Sequence, residues 1–264
     1  MNTVYALDYA EPWIAAIEQQ VFPVLRADPR LKDADKLIAR FSGNVTRWRA
    51  GGEFRPIVED ANELAAAVEL LRLDASDVVI RYEPKLMNTA KSIDFSLEWP
   101  DGTRSWVDVK TVAPQWIDDG ASWQRFENLE AAFPNNARLI VSRDWAGAAI
   151  SGQEIKARWS FIKRTVEVEQ KVGLLDASER GPVRLLFCSN GTFHKDGLED
   201  FADFYKSRRF REDDWSGNAV TRYMADEGIV FTRSLAGFCF LERPWDAVFA
   251  SELAVDVRGP AFGR

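Results

Sequence analysis

At 264 residues, with 46% hydrophobic and 28% charged side chains, the chain has the composition of a globular protein able to bury a sizeable core. No apolar run approaches the ~18 residues of a membrane helix, which argues against a membrane partner, and the start Met1-Asn2-Thr3-Val4-Tyr5 lacks a signal peptide's basic and apolar regions, so a cytoplasmic location is the expectation. A net charge of -7 counts against a protein that coats nucleic acid, because affinity for a polyanion comes from Lys and Arg and would here have to come from local clusters.

Residues 1–55 read as an N-terminal helical extension. An amphipathic helix is expected near Glu11 to Leu25, interrupted by Pro23, and the polar and basic stretch Asp28 to Arg49 follows. Arg47-Trp48-Arg49 sets an aromatic between two guanidinium groups, a pattern suited either to phosphate and base contact or to a solvated face. Gly51-Gly52 marks a break.

Pro56 to Leu73 carries Ile57, Ala61, Leu64, Ala67, Val68 and Leu71 at helical spacing. On that helix Glu63 falls beside the apolar stripe and can reach a sheet, whereas Glu69 points nearly opposite and is expected in solvent. Val78 to Tyr82 is a β-branched run ended by Glu83-Pro84.

Ser92 to Thr111 then reads as a β-hairpin turning at Trp99-Pro100-Asp101-Gly102. The strand period of two puts Asp108 and Lys110 on one face, among Val107, Val109 and Val112, where an acid and a base need either each other or an ion. By itself Asp-x-Lys is most simply an exposed ion pair. With Asp94 on the neighbouring strand, however, two carboxylates are available for a hard cation such as Mg²⁺, which keeps several waters around one or two acidic ligands.

The order helix with Glu63, strand, strand with Asp94, strand with Asp108 and Lys110 resembles the PD-(D/E)xK phosphodiesterase superfamily, which includes many restriction endonucleases and archaeal Holliday-junction resolvases. The matching residues are Glu63-Leu64-x-x-Ala67, Tyr82-Glu83-Pro84, Ile93-Asp94-Phe95 and Val107-Asp108-Val109-Lys110-Thr111. Ile93 stands where the family name has proline. The resemblance implies an α/β fold with a restriction-endonuclease-like αβββαβ core and a mixed sheet over residues 56–145, closed by a helix Ser122 to Phe133 and a strand Ala137 to Ser142. It further implies Asp94, Asp108 and the Val109 carbonyl as ligands of Mg²⁺ or Mn²⁺, Lys110 as the catalytic lysine, and Glu63 as an auxiliary acid acting through water. Gln124 lies about where some members place a glutamine on the next helix, although Asn128 replaces the tyrosine that goes with it.

Residues 146–264 read as a C-terminal α/β extension packed on that core. A helix is expected over Gln153 to Leu175, a buried strand over Val183 to Cys188, a helix over Leu198 to Tyr205, and two strands within Gly228 to Glu242 turning near Leu235-Ala236-Gly237. Cys188 and Cys239 lie in apolar runs and read as core residues, and the single His194 leaves no zinc site. Lys206-Ser207-Arg208-Arg209-Phe210-Arg211 is the densest basic cluster, although Glu212-Asp213-Asp214 follows it at once. Among the tryptophans, Trp48, Trp116, Trp123 and Trp145 have polar neighbours and are candidates for stacking on bases, while Trp13, Trp159 and Trp245 fit apolar faces.

The expectation is therefore a metal-dependent deoxyribonuclease, an endonuclease rather than an exonuclease, with DNA as partner. The alternative is a non-catalytic module that binds nucleic acid or protein on the same fold. The acidic balance leaves a protein partner open, and a homodimer is not excluded.

Overall fold

A computed structural model describes residues 3–87, 91–112, 148–189, 195–207, 215–241 and 255–256. The elements are α1 (Thr3–Ala27), β1 (Leu31–Lys32), α2 (Ala34–Arg49), α3 (Arg55–Leu71), β2 (Val79–Tyr82), β3 (Phe95–Glu98), β4 (Arg104–Thr111), α4 (Ala148–Val172), β5 (Val183–Cys188), α5 (Lys195–Ser207), α6 (Trp215–Asp226), β6 (Gly237–Leu241) and β7 (Val255–Asp256). The strands form one seven-stranded mixed sheet in chain order. Pairs β2–β3, β3–β4 and β6–β7 are antiparallel, whereas β1–β2, β4–β5 and β5–β6 are parallel. The protein is thus of the α/β class, with β1 from the N-terminal stretch and β5 to β7 from the C-terminal stretch in the same sheet as the hairpin.

Strand alternation decides which helices cover which face. Val107 and Val109 of β4, with Leu186 and Cys188 of β5, enter a core shared with Ile14, Ile17 and Leu25 of α1, Phe41 of α2 and Leu64 of α3. Trp106, Leu185 and Phe187 point the other way, into a second core with Phe161 and Ile162 of α4 and Phe201 of α5. The sheet is the middle layer of three. Asp108 and Lys110, in step with Trp106, therefore belong to the α4 face.

Several elements depart from the sequence expectation. Pro23 does not interrupt α1, which runs through both Pro12 and Pro23 to Ala27; its buried stripe Ile14, Ile17, Val21 and Leu25 outweighs the lost hydrogen bond. The stretch Asp28 to Arg49 forms β1 and α2, whose buried face is Leu37, Ile38, Phe41, Asn44, Val45 and Trp48. Glu69 is buried and paired with Arg72, because α3 packs on β4 as well as on α1 and α2 and has almost no free side.

Gly228 to Ala236 supplies no strand; of the two expected within Gly228 to Glu242 only β6 (Gly237–Leu241) forms. The reason lies on α4, where the buried Glu169 carboxylate accepts from the backbone N–H groups of Thr232 (2.9 Å), Arg233 and Ser234 (3.3 Å), so these donors are spent outside any ladder. Tyr205 donates to the same carboxylate at 2.7 Å and accepts from Leu235 N–H at 3.1 Å. Arg233 takes a left-handed φ of 60° to complete the wrap.

The expected closing pair, Ser122 to Phe133 and Ala137 to Ser142, lies outside the described residues. The described strand that pairs in parallel with β4 is β5, which follows α4. The hairpin itself is as expected. Trp99 N–H bonds Thr103 O at 2.9 Å, Gly102 adopts φ 81°, and Phe95 pairs with Val107.

Candidate functional site

The first of the motif residues, Asp94, lies one residue ahead of β3. Its Oδ2 accepts from Val109 N–H on β4 at 2.6 Å, while its carbonyl accepts from Glu83 N–H at 2.7 Å, so three successive segments are tied at one point. Burial raises the Asp94 carboxyl to about 6, with the Asp108 charge adding to the rise and Lys110 and Lys171 opposing it.

Asp108 is completely buried. Its carboxylate lies between two ammonium groups: Lys110 Nζ on Oδ1, and Lys171 Nζ of α4 at 2.6 Å from Oδ2. Oδ1 is engaged by the Lys110 ammonium and by no other donor among the described residues. For Lys110, burial disfavours the ammonium, yet Asp108 and Asp94 outweigh that cost and raise its pKa.

Glu63 approaches from α3 and is held by α2 and β2. It accepts from Tyr82 Oη at 2.6 Å and from both terminal nitrogens of Arg40 at 3.1 Å each, the two-pronged contact that a planar guanidinium makes well. Arg40 also reaches Asp60 (2.8 Å), Glu83 (3.0 Å) and Tyr82 Oη (2.7 Å). Burial foremost, then the Asp94 charge, lifts Glu63 to about 8, against the pull of Arg40 and Tyr82.

These groups line a polar cleft of about 240 Å³ whose walls include Arg40, Glu63, Asp94, Val109, Lys110 and Arg164. Asp108 is not on the wall; it sits beside Lys110. The sequence-predicted set Glu63, Asp94, Val109 and Lys110 is thus brought to one cavity, with Asp108 adjoining.

The basic and aromatic candidates fare differently. Trp48 is buried against Phe54, with ring centroids 5.3 Å apart, so its expected role in stacking on bases is corrected to one in the core. Arg49 is engaged by Glu11 at 2.8 Å. Arg47 is exposed and bonds Asn44, and Lys206 is exposed in the last turn of α5. Gln124, Arg208, Arg209, Arg211, Trp116, Trp123 and Trp145 lie outside the described residues. Among the tryptophans expected in apolar surroundings, Trp13 is partly buried on the first core, whereas Trp159 is 38% exposed and stacks on Tyr223.

Two residues were not singled out from sequence, Arg40 and Lys171, and Arg164 is expected there only as one of the cations, with Lys156, Arg158 and Lys163, that decorate a helix. Arg164 and Lys171 are seven apart, two turns of α4, and so share the helix face that meets Lys110 and Asp108.

As to metal, no three Asp, Glu, His or Cys side chains among the described residues are grouped to hold an ion. The donors of a hard cation would be two carboxylates, Asp94 and Asp108, and the Val109 carbonyl, with waters completing the shell. That set is chemically sufficient for Mg²⁺. What competes for those donors is the pair of lysines. No described helix is long and apolar enough to cross a membrane. Comparison with protein-family models, with curated proteins and with solved structures finds no match for this chain.

Proposed function

We propose that the protein is a divalent-metal-dependent nuclease hydrolysing phosphodiester bonds in DNA, related in its chemistry to the PD-(D/E)xK superfamily. The observation that carries this reading is the convergence of Glu63, Asp94, Val109 and Lys110 on one cleft, with Asp108 ion-paired to Lys110. The order of the described elements α3-β2-β3-β4-α4-β5 also supports it, since it is compatible with the αβββαβ order of that superfamily's core.

In this reading Asp94, Asp108 and the Val109 carbonyl hold Mg²⁺ or Mn²⁺, which when bound lowers the pKa of a coordinated water and offsets phosphate charge. Lys110, whose proton is held firmly by the neighbouring acids, presents a cation in the cleft wall where it can orient the attacking water and oppose charge building on the phosphoryl oxygens. Arg40 and Tyr82 fix the Glu63 carboxyl in the lining of the same cleft, where it would serve as the auxiliary acid. Arg164 adds a second cation for a phosphate of the strand. Exposed Arg47 and Lys206, with Arg208, Arg209 and Arg211, are the candidates for further phosphate contacts.

The test is cleavage of single-stranded, duplex, flapped and branched DNA with Mg²⁺ or Mn²⁺, by wild type, Asp108→Asn and Lys110→Met. The isosteric Asp108→Asn is chosen over a truncation because Asp108 is wholly buried. Loss of a preorganised charge at the reacting centre costs on the order of 10²–10³ in rate, so each variant should lose metal-dependent cleavage by that much while DNA affinity stays within a few-fold. Cleavage that persists in both variants would refute the assignment.

A second reading is favoured by one observation: both oxygens of Asp108 are already neutralised by lysines. That is also how a non-catalytic module would settle a retained acid, and it is the reading to adopt if no substrate in the panel is cut.

A further inference from the structure

We infer that Lys171 acts as a built-in counter-cation that occupies the divalent-metal position at Asp108 and must leave for metal to enter. The inference rests on the metal reading above and adds to it a residue from a separate element.

The argument is one of charge and place. Asp94 and Asp108 carry two negative charges at most, and Lys110 and Lys171 carry two positive ones, so the cluster is already neutral without metal. Arg164, on the same face of α4, also bears on Lys110, although Glu167 pairs with it at 2.9 Å. A divalent cation entering beside both ammonium groups would leave this largely buried cluster with two excess positive charges, a configuration strongly opposed at low local dielectric. One lysine has to withdraw. Lys110 is fixed on the strand, two residues from Asp108. Lys171 instead extends from the penultimate position of α4, on a flexible four-carbon stem, at a helix end where a cation is stabilised by the terminal carbonyls. It has somewhere favourable to go. Its Nζ lies 2.6 Å from Asp108 Oδ2, where a coordinated cation would have to sit about as close.

The test reads metal binding rather than turnover. Mn²⁺ is titrated calorimetrically into the full-length protein without DNA, for wild type, Lys171→Met, Lys171→Gln and Lys171→Arg. The two neutral variants should bind Mn²⁺ at least ten-fold more tightly than wild type, Lys171→Arg should match wild type, and Asp108→Asn added to Lys171→Met should erase the gain. The glutamine variant keeps a donor to Asp108, guarding against loss of fold in the methionine variant, and metal-free melting temperatures check each. In wild type, the side-chain ammonium signal of Lys171 in a lysine-labelled NMR sample should shift when Mg²⁺ is added. Wild type that binds Mn²⁺ as well as or better than both neutral variants, with an unmoved Lys171 signal, overturns the inference and leaves the metal site standing. Absence of Mn²⁺ binding in every variant overturns both.

Discussion

Replacing Arg40 by methionine tests the electrostatic account of the cleft most directly, because Arg40 is the cation on which the α2–α3–β2 corner is assembled. It joins Asp60, Glu63 and Glu83, of which the first two have side chains only 1% and 9% exposed. Removing one partner of a fully buried pair costs about 3–5 kcal/mol. The Arg40 side chain is 36% exposed, so water already screens part of its charge, and we place the loss at about 2–4 kcal/mol. For a chain of this length the unfolding entropy is about 0.55 kcal/mol/K, giving a fall in melting temperature of about 4–7 °C. The loss must also depend on pH. Glu63, raised from 4.5 to about 8, holds its proton in the folded protein where the unfolded chain has released it, so stability declines as pH rises across that interval. Without Arg40 the Glu63 pKa climbs further, so the decline continues to higher pH. Calorimetric melts of wild type and Arg40→Met from pH 5 to 9 should therefore show a smaller, level difference up to about pH 7, where Glu63 is neutral in both, and a difference that widens through pH 8 and above. Arg40→Lys should recover little, since one ammonium cannot fork between Glu63 and Asp60. A melting difference that is flat over this range, or largest at the acid end, would refute the reasoning.

Two further perturbations follow from the fold. Glu169→Ala strips the acceptor from Tyr205 and from the amides of Thr232, Arg233 and Ser234; because those three residues are exposed and water can replace part of the loss, destabilisation of about 2–3 kcal/mol is expected, with amide exchange at 232–235 accelerated well beyond that of β6, and unchanged exchange there would contradict the carboxylate clamp. Gly181→Ala would place a Cβ 1.9 Å from Arg104 O, a backbone atom at the start of β4, so that strand must shift; a loss of about 1–3 kcal/mol is expected in denaturant unfolding, and a variant as stable as wild type would show that the Gly181 approach is not constrained.

The parts of the fold legible in the sequence were those whose burial follows a local period. Ile57, Ala61 and Leu64 announce α3, and the alternation about Asp108 announces β4, because each element has a core-facing side set by its own spacing. α2 escaped notice although Leu37, Phe41, Val45 and Trp48 are helically spaced, because Asp35, Lys36, Arg40 and Arg47 dominate its composition. The 228–236 segment misled for the opposite reason. Ile229, Val230 and Phe231 look like a strand, yet the backbone donors that follow are claimed by Glu169, about sixty residues earlier. Strands of two residues, β1 and β7, have no period to read.

The site divides along the same line. Asp94, Asp108 and Lys110 lie on one hairpin, so strand geometry alone brings them close, and Glu63 follows from its angle to the stripe of α3. The cations that make this assembly tolerable come from elsewhere in the chain: Arg40 from α2, Arg164 and Lys171 from α4. Their need, if not their identity, is a matter of charge balance. Glu63, Asp94 and Asp108 together cannot be buried against Lys110 alone without leaving uncompensated negative charge, which costs several kcal/mol per ion. The protein meets that deficit in two ways, raising Glu63 and Asp94 so that they can hold protons, and drawing guanidinium and ammonium groups in from the flanking helices. Both leave the same signature, a cluster whose acids are only partly satisfied by what the chain provides. The Lys171 and Arg40 variants separate its two halves, one at Asp108 and one at Glu63.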